Sequence, residues 1–266
     1  MIPLIAPHTT ATLRDRFFRL HAEVARNADH IVVVSEATRR DVISILDVPE
    51  DRVTNTYQCV SLDPAIAERP IEQVDWELRQ TFDLGWKDYF LHFGAIEPKK
   101  NLGRIVDAYL ASHTKRPLVI VGGRGWMQED ELATLNQIRA NNHFNAERII
   151  VFDYMTQHNL INLIRGARAM LFPSLYEGFG LPVLEAQTLG TAVLTSNAGS
   201  LPEVAGDAAL TVEPESVDQI RKGIDMLDND DALVESLKLQ GRVQAAKFSP
   251  EAYRTRLKEW SYVPHP

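Results

Sequence analysis

From Tyr89 onward, short apolar runs alternate with stretches of helical period. The runs Tyr89 to Gly94, Leu118 to Gly122, Ile149 to Phe152, Ala169 to Phe172 and Ala192 to Leu194 are brief and nearly continuous. That is the pattern of strands buried on both faces, as in a parallel sheet. Between the first two, Leu102, Ile105, Val106, Tyr109 and Leu110 form a 3.6-residue stripe, which predicts a helix with Asn101 as its N-cap. Thr156 is placed to cap a second helix that buries Leu160, Ile161 and Ile164. Strands separated by helices predict right-handed βαβ units in a doubly wound sheet, and such sheets bind ligands beyond the carboxyl ends of their strands.

Residues 1–75 read as a separate unit. A helical stretch, Thr12 to Arg26, leads to the strand Ile31-Val32-Val33-Val34; Ser35 then caps a helix running to Leu46, and Val53 to Tyr57 predicts another strand. Two strands are too few for an independent α/β domain, which needs ~100 residues or more, so the segment is expected to be a partial domain. Pro64, Pro70 and the polar residues around them mark a linker. The tail from Pro214 to Trp260 is predicted helical, and Ser249-Pro250-Glu251 is a strong helix start. Tyr253, Leu257 and Trp260 then make one apolar face that needs a docking surface.

Composition narrows the classes. The 266 residues are 45% apolar and carry a formal charge of −8, which argues against nucleic acid as the main partner, since phosphate binding calls for a basic stripe. No apolar run approaches the ~20 residues of a membrane span, and Met1 to His8 lack the features of a secretory leader. The single cysteine, Cys59, excludes a disulfide framework and fits a reducing compartment. These features place the chain in the cytoplasm, and peripheral membrane contact remains compatible with them.

The chemistry concentrates in two loops. Glu177-Gly178-Phe179-Gly180-Leu181-Pro182-Val183-Leu184-Glu185 follows the strand at Ala169 to Phe172 and opens a helix. A helix start offers free N–H groups and a positive dipole end to an anion. Gly178 and Gly180 allow close backbone approach. Glu185 lies in an otherwise apolar helix, Leu181 to Leu189, where a carboxylate needs partners; the vicinal hydroxyls of a ribose would serve. Glu177, ahead of the helix, is placed to accept sugar hydroxyls. The loop Gly94-Ala95-Ile96-Glu97-Pro98-Lys99-Lys100-Asn101 ends the first strand of the same sheet, and its lysines could neutralise a diphosphate. A diphosphate plus hydroxyls describes a nucleotide sugar.

The stretch Glu177 to Glu185 resembles the E-x7-E signature of the retaining glycosyltransferases of family 4, which share the two-domain GT-B fold. Gly94 to Asn101 is similar to that family's phosphate-binding loop. Val151 to Tyr154, Phe172-Pro173-Ser174, the run from Leu189 through Glu203 to Ala209, and Ala28 to Glu36 also follow its pattern. The resemblance covers most of the chain and is most specific over Tyr89 to Val212. It implies a complete C-terminal Rossmann-like donor domain at 76–248, a shortened N-terminal acceptor-side domain with linker at 1–75, and a terminal helix at 249–266 packing back on the N-terminal part. By the same resemblance, Lys100 binds the donor diphosphate, with Gly94 and Lys99 in the same loop. Glu177 contacts the transferred sugar, amides around Gly178, Phe179, Gly180 and Leu181 cradle sugar and phosphate, and Glu185 holds the ribose. Tyr154 and Met155 line the base. The scheme needs no metal and no cofactor beyond the donor substrate.

The implied activity is transfer of a hexosyl unit, with retention, from a nucleoside-diphosphate sugar to a glycan or lipid-linked acceptor. The Glu-Pro form of the Lys99-Lys100 loop resembles that of polysaccharide mannosyltransferases, which makes GDP-mannose the first donor candidate. The alternative is a nucleotide-sugar-binding fragment or subunit without catalysis of its own. Three departures from the family pattern stand out: Ala95 replaces a common arginine, Asp153 replaces a common glycine, and the region before Tyr89 is short. His8 has a faint counterpart near the reacting sugar. Gly122-Gly123-Arg124-Gly125 reads as a loop beside the donor cleft rather than a dinucleotide fingerprint. Asp228-Asn229-Asp230-Asp231 reads as a helix-capping turn rather than a metal site.

Overall fold

A computed structural model describes residues 14–122 and 148–262. Two parallel sheets organise them. The smaller pairs β1 (Ile31–Val33) with β2 (Val53–Asn55) and carries α1 (Arg14–Asn27) and α2 (Glu36–Leu46). The larger contains β3 (Phe90–Phe93), β4 (Leu118–Val121), β5 (Ile149–Phe152), β6 (Ala169–Phe172), β7 (Ala192–Ser196) and β8 (Leu210–Val212) in the spatial order β5-β4-β3-β6-β7-β8. All neighbours are parallel. The five runs expected from the sequence are all strands. The sixth, β8, was not expected: it is three residues long and only its last residue is buried.

Apolar side chains cover both faces of the large sheet. On one face Leu91, Met170 and Val193 pack with Val74 and Leu78 of α4 (Ile71–Phe82) and with Ile161 and Ile164 of α6 (Gln157–Gly166). On the other, Phe90, Ile120, Leu171 and Leu194 meet Ile105 and Tyr109 of α5 (Leu102–Ala111) and Ile220 and Ile224 of α9 (Val217–Asn229). Burial at these positions is near complete, which is why the strands lack alternation in sequence. The expected division between residues 75 and 76 falls inside α4, an unbroken helix that packs on the large sheet. The stretch read as a linker contains a helical turn, α3 (Pro64–Ala67), capped by Asp63.

Several caps match the sequence reading. Ser35 accepts from the N–H of Thr38 and Thr156 from that of Asn159. Asp230 caps α10 (Asp231–Ala246), so the acidic run is a capping turn. Ser249 accepts from the N–H of Ala252 at the start of α11 (Pro250–Tyr262). The tail helix reaches the small sheet's unit: the rings of Trp260 and His30 lie 5.9 Å apart and the Arg256 guanidinium lies over Tyr57. Cys59 is a half-buried free thiol. No helix among the described residues is long and apolar enough to cross a membrane.

Asn101 corrects one expectation. It adopts a left-handed backbone (φ 63°) after a tight turn at Pro98–Lys100, and its side chain caps nothing. Its Nδ2 instead donates to the carbonyls of Pro173 (2.9 Å) and Pro214 (2.7 Å), tying the loops after β3, β6 and β8 together. Asn101→Ala leaves both buried carbonyls unsatisfied and places a residue ill suited to the left-handed region there. Urea denaturation is expected to show a loss of about 2–3 kcal/mol. Asn101→Asp, which cannot donate, is expected to lose at least as much, and wild-type stability in both would show the staple to be dispensable.

Candidate active site

Because every strand of the large sheet is parallel, the loops after β3 and β6 emerge at the same edge. β3 and β6 are also neighbours where the chain order reverses, since β3 continues to β4 on one side and β6 to β7 on the other. At such a switch point the two connections diverge and leave a crevice. The sequence-predicted residues meet there. Lys100 donates from Nζ to Glu177 Oε1 at 2.7 Å, with only 8% of Lys100 and 6% of Glu177 exposed. The ammonium also lies 4.8 Å from the Phe172 ring centroid. The two loops are joined by the Leu175 N–H, which donates to the Lys99 carbonyl at 2.8 Å. Lys99 pairs with Glu97 within its own loop.

The backbone around Glu177 is held by its carbonyls. Glu177 C=O accepts from Ser200 N–H (3.2 Å) and Ser200 Oγ (2.9 Å). Gly178 C=O accepts from Ser35 Oγ (2.6 Å) and Thr38 Oγ1 (3.0 Å). Gly180 C=O accepts from the N–H groups of Val183 and Leu184, the first turn of α7 (Leu181–Thr188). The N–H groups of Gly178, Phe179, Gly180 and Leu181 meet no protein acceptor among the described residues. The carbonyls of Glu177, Gly178 and Gly180 are thus occupied while these donors stay free, and with the positive end of α7 this makes an anion cradle. Two glycines are required by the geometry. Gly180 has φ 101°, and a Cβ there would sit 2.7 Å from Leu201; Gly199 has φ 57°, and its Cβ would lie 2.6 Å from the Glu177 carbonyl oxygen.

Glu185 lies one turn further along α7, ~6 Å from Leu181 by helix rise. Among the described residues its carboxylate has no hydrogen-bond or ion-pair partner, and burial alone pushes its pKa up from 4.5 to about 7. Beyond β5, Tyr154 is 90% exposed while Met155 packs partly against the core. Gly94 ends β3 with its backbone beside the Lys100 side chain. His8 and residues Gly123, Arg124 and Gly125 lie outside the described residues.

Sequence reasoning missed a group of contacts made by the small-sheet unit. Glu203, on α8 (Leu201–Ala205), accepts from the N–H groups of Glu36 (3.0 Å) and Ala37 (2.9 Å) at the start of α2. Tyr176 donates to Asp41 of the same helix. The only signal in sequence was that Glu203 and the segment Ala28 to Glu36 both followed the family pattern.

Two parallel sheets of this kind, with the loops after β3 and β6 meeting at the switch point, define the class: the architecture is that of GT-B glycosyltransferases. HepE of Anabaena, solved with UDP and glucose, is similar with a TM-score of 0.81 at 17% identity, over 91% of this chain and 66% of that one. Sucrose-phosphate synthase of Thermosynechococcus elongatus is similar at 0.75 and 20% identity, over 91% and 60%. At these identities the likeness speaks for the fold. The chain belongs to the family of glycosyl transferases group 1, whose model matches residues 75–244. The O-antigen chain mannosyltransferase B of Escherichia coli is 35% identical over 234 residues, 86% of this chain and 59% of the relative. A serotype-specific mannosyltransferase WbdA, also of Escherichia coli, is 31% identical over 240 residues, 89% of this chain and 29% of its own length. The chain therefore spans less than two thirds of the relatives it matches.

The raised Glu185 pKa has a definite sign. Between 4.5 and about 7 the folded state holds this proton more tightly than the unfolded chain, so its contribution to stability falls as pH rises through that window and is flat above it. Glu185→Gln removes the slope. Thermal unfolding is expected to show the variant more stable than wild type above pH 7 and unchanged below pH 4.5; a constant difference across that range would mean that Glu185 has an ordinary pKa.

Proposed function

We propose that this chain carries the donor side of a retaining hexosyltransferase acting on a nucleoside-diphosphate sugar, with GDP-mannose the first donor candidate and a glycan or lipid-linked saccharide the acceptor. The observation that supports it best is the meeting, at one switch point, of Lys100, Glu177 and the unpaired N–H run from Gly178 to Leu181. The two mannosyltransferase relatives favour a mannosyl donor.

In this reading the diphosphate lies against the start of α7. Lys100, whose ammonium has N–H donors beyond the one given to Glu177, neutralises the charge that develops as the leaving group departs. Glu177 accepts hydroxyls of the transferred sugar, Glu185 accepts those of the ribose, and Tyr154 and Met155 border the base. The acceptor oxygen bonds to the anomeric carbon on the face from which the diphosphate leaves, and the departing phosphate oxygen takes the acceptor's proton. The segment before α4 stands on the acceptor side, with α11 closing back upon it.

A second reading rests on length. Since the chain spans 59% of the mannosyltransferase B relative, it could hold a nucleotide sugar without turning it over. A mass-spectrometric transfer assay separates the two, because donor binding without product on any glycan acceptor would leave only the binding function.

Glu177 and Lys100 form a buried pair, so removing one strands the other; Glu177→Gln is the milder probe. It is expected to lower transfer by two or more orders of magnitude, and a wild-type rate would remove Glu177 from the reacting sugar. Lys100→Met should weaken nucleoside diphosphate binding by ~1.5–3 kcal/mol, the scale of a charge-assisted hydrogen bond. Unchanged calorimetric affinity would overturn the phosphate role. If Glu185 holds the ribose as a carboxylate, donor affinity should rise with pH up to about 7 and level off above; Glu185→Gln should flatten that profile.

A further inference from the structure

We infer that Thr38 and Ser35, on the small-sheet unit, are positioning residues for the donor loop: they fix the direction of the Phe179 N–H. The inference rests on the transferase reading only for its effect on rate. The geometry begins with the peptide joining Gly178 to Phe179. Its carbonyl is gripped by two hydroxyls, Ser35 Oγ at 2.6 Å and Thr38 Oγ1 at 3.0 Å. No cis peptide bond occurs among the described residues, and in a trans peptide the C=O and the following N–H point in opposite directions. Pulling the Gly178 carbonyl toward α2 therefore aims the Phe179 N–H away from α2. That N–H is one of the four with no protein acceptor among the described residues.

The Phe179 side chain cannot easily rotate the peptide back. Its ring is buried and stands edge-on to Phe248, with centroids 5.7 Å apart, and 6.5 Å from Tyr57. The gripping hydroxyls are themselves held in place. Ser35 Oγ donates to Gly178 and accepts from the Thr38 N–H as the N-cap of α2. Glu203 anchors the same helix start from the large-sheet side through Glu36 and Ala37, and Asp41, in the second turn of α2, accepts from Tyr176, the residue before Glu177. Two attachments thus run from one short stretch, Ser35 to Asp41, to the residues on either side of Glu177, Tyr176 and Gly178, and a third runs to Glu203 on α8. Structural cohesion between the units would be served by Glu203 and Tyr176 alone. Two hydroxyls on a single carbonyl do something narrower, which is to set one peptide plane.

The consequence is that seating of the small-sheet unit on α8 determines whether the loop presents a complete donor cradle. Ser35 also caps a helix, so Thr38 gives the cleaner test. Thr38→Val removes the hydroxyl at nearly constant shape, whereas Thr38→Ser keeps it. Thr38→Val is expected to lower kcat about tenfold, the scale of one lost hydrogen bond, and to weaken nucleoside diphosphate binding as well. Thr38→Ser should restore the rate. A wild-type kcat in Thr38→Val, or an equal fall in Thr38→Ser, would overturn the assignment. A second measurement does not require activity. In protein labelled with 15N-phenylalanine, the Phe179 amide resonance, identified by its loss in Phe179→Leu, should shift or broaden in Thr38→Val and return in Thr38→Ser. An unmoved resonance would sink the positioning role even if wild type transfers sugar. Conversely, a wild type that neither binds nor transfers a nucleotide sugar would remove the transferase reading and leave this resonance to decide the positioning role.

Discussion

The buried pair of Lys100 and Glu177 is the constraint on which the rest of the site depends. The residues are 77 positions apart in the chain, and only the adjacency of β3 and β6 brings them together. Placing two charges out of water is costly, and the attraction between them offsets that cost only when the geometry is tight and the surroundings are fixed. The surroundings here are fixed. Asn101 ties the Lys100 loop to Pro173 and Pro214, Leu175 bonds across to Lys99, and Ser200 holds the Glu177 backbone by two bonds. Each fastening secures a loop that would otherwise be free at the end of a strand. Loops at the ends of two strands can therefore hold a charged pair in register.

The loop's polarity follows from how those fastenings are distributed. Around Glu177, the bonds from Ser200, Ser35, Thr38 and the first turn of α7 act on the carbonyls of Glu177, Gly178 and Gly180 and leave the neighbouring N–H groups without acceptors among the described residues. A loop held through its N–H groups would present carbonyl oxygens and repel a diphosphate. Held through its carbonyls, it presents donors at the positive end of α7. The serines and threonine responsible, Ser35, Thr38 and Ser200, come from both units of the chain. For that reason the cradle belongs to the whole molecule rather than to the E-x7-E segment alone.

What could be read from the sequence was whatever depends on local period or on a residue's immediate neighbours. Leu91, Met170 and Val193 lie in runs that look like buried parallel strands, and they are. Ser35, Thr156 and Ser249 are placed like caps and act as caps. Leu210–Val212 escaped notice because a three-residue edge strand with only one buried side chain leaves no run to detect. Asn101 was misread for a different reason: its place before an apolar stripe fits an N-cap, but the tight turn ahead of it forces a left-handed backbone that swings the amide toward Pro173 and Pro214. The site residues could be named from the family pattern, yet the pairing of Lys100 with Glu177 and the grip of α2 on Gly178 could not. Those contacts span 77 to 143 positions, and no period encodes a partner so distant.

Glu185 is the residue whose surroundings argue most directly for a ligand, and a second glutamate in the same fold supplies the comparison. Glu77 is only half-buried, yet Arg69, His158 and Asn162 all donate to it, and its pKa is drawn down to about 2. Glu185 is shielded without a donor among the described residues, and its pKa is pushed up to about 7. A structural carboxylate in this chain is thus given partners, and a glutamine or leucine in the apolar helix α7 would spare the fold the desolvation cost. A position that departs from the local rule with no compensation among the described residues is a candidate for compensation by a ligand. On the proposed donor reading, that partner donates hydrogen bonds and sits one turn beyond the cradle of N–H groups. The paired hydroxyls of a ribose attached to a diphosphate meet both conditions.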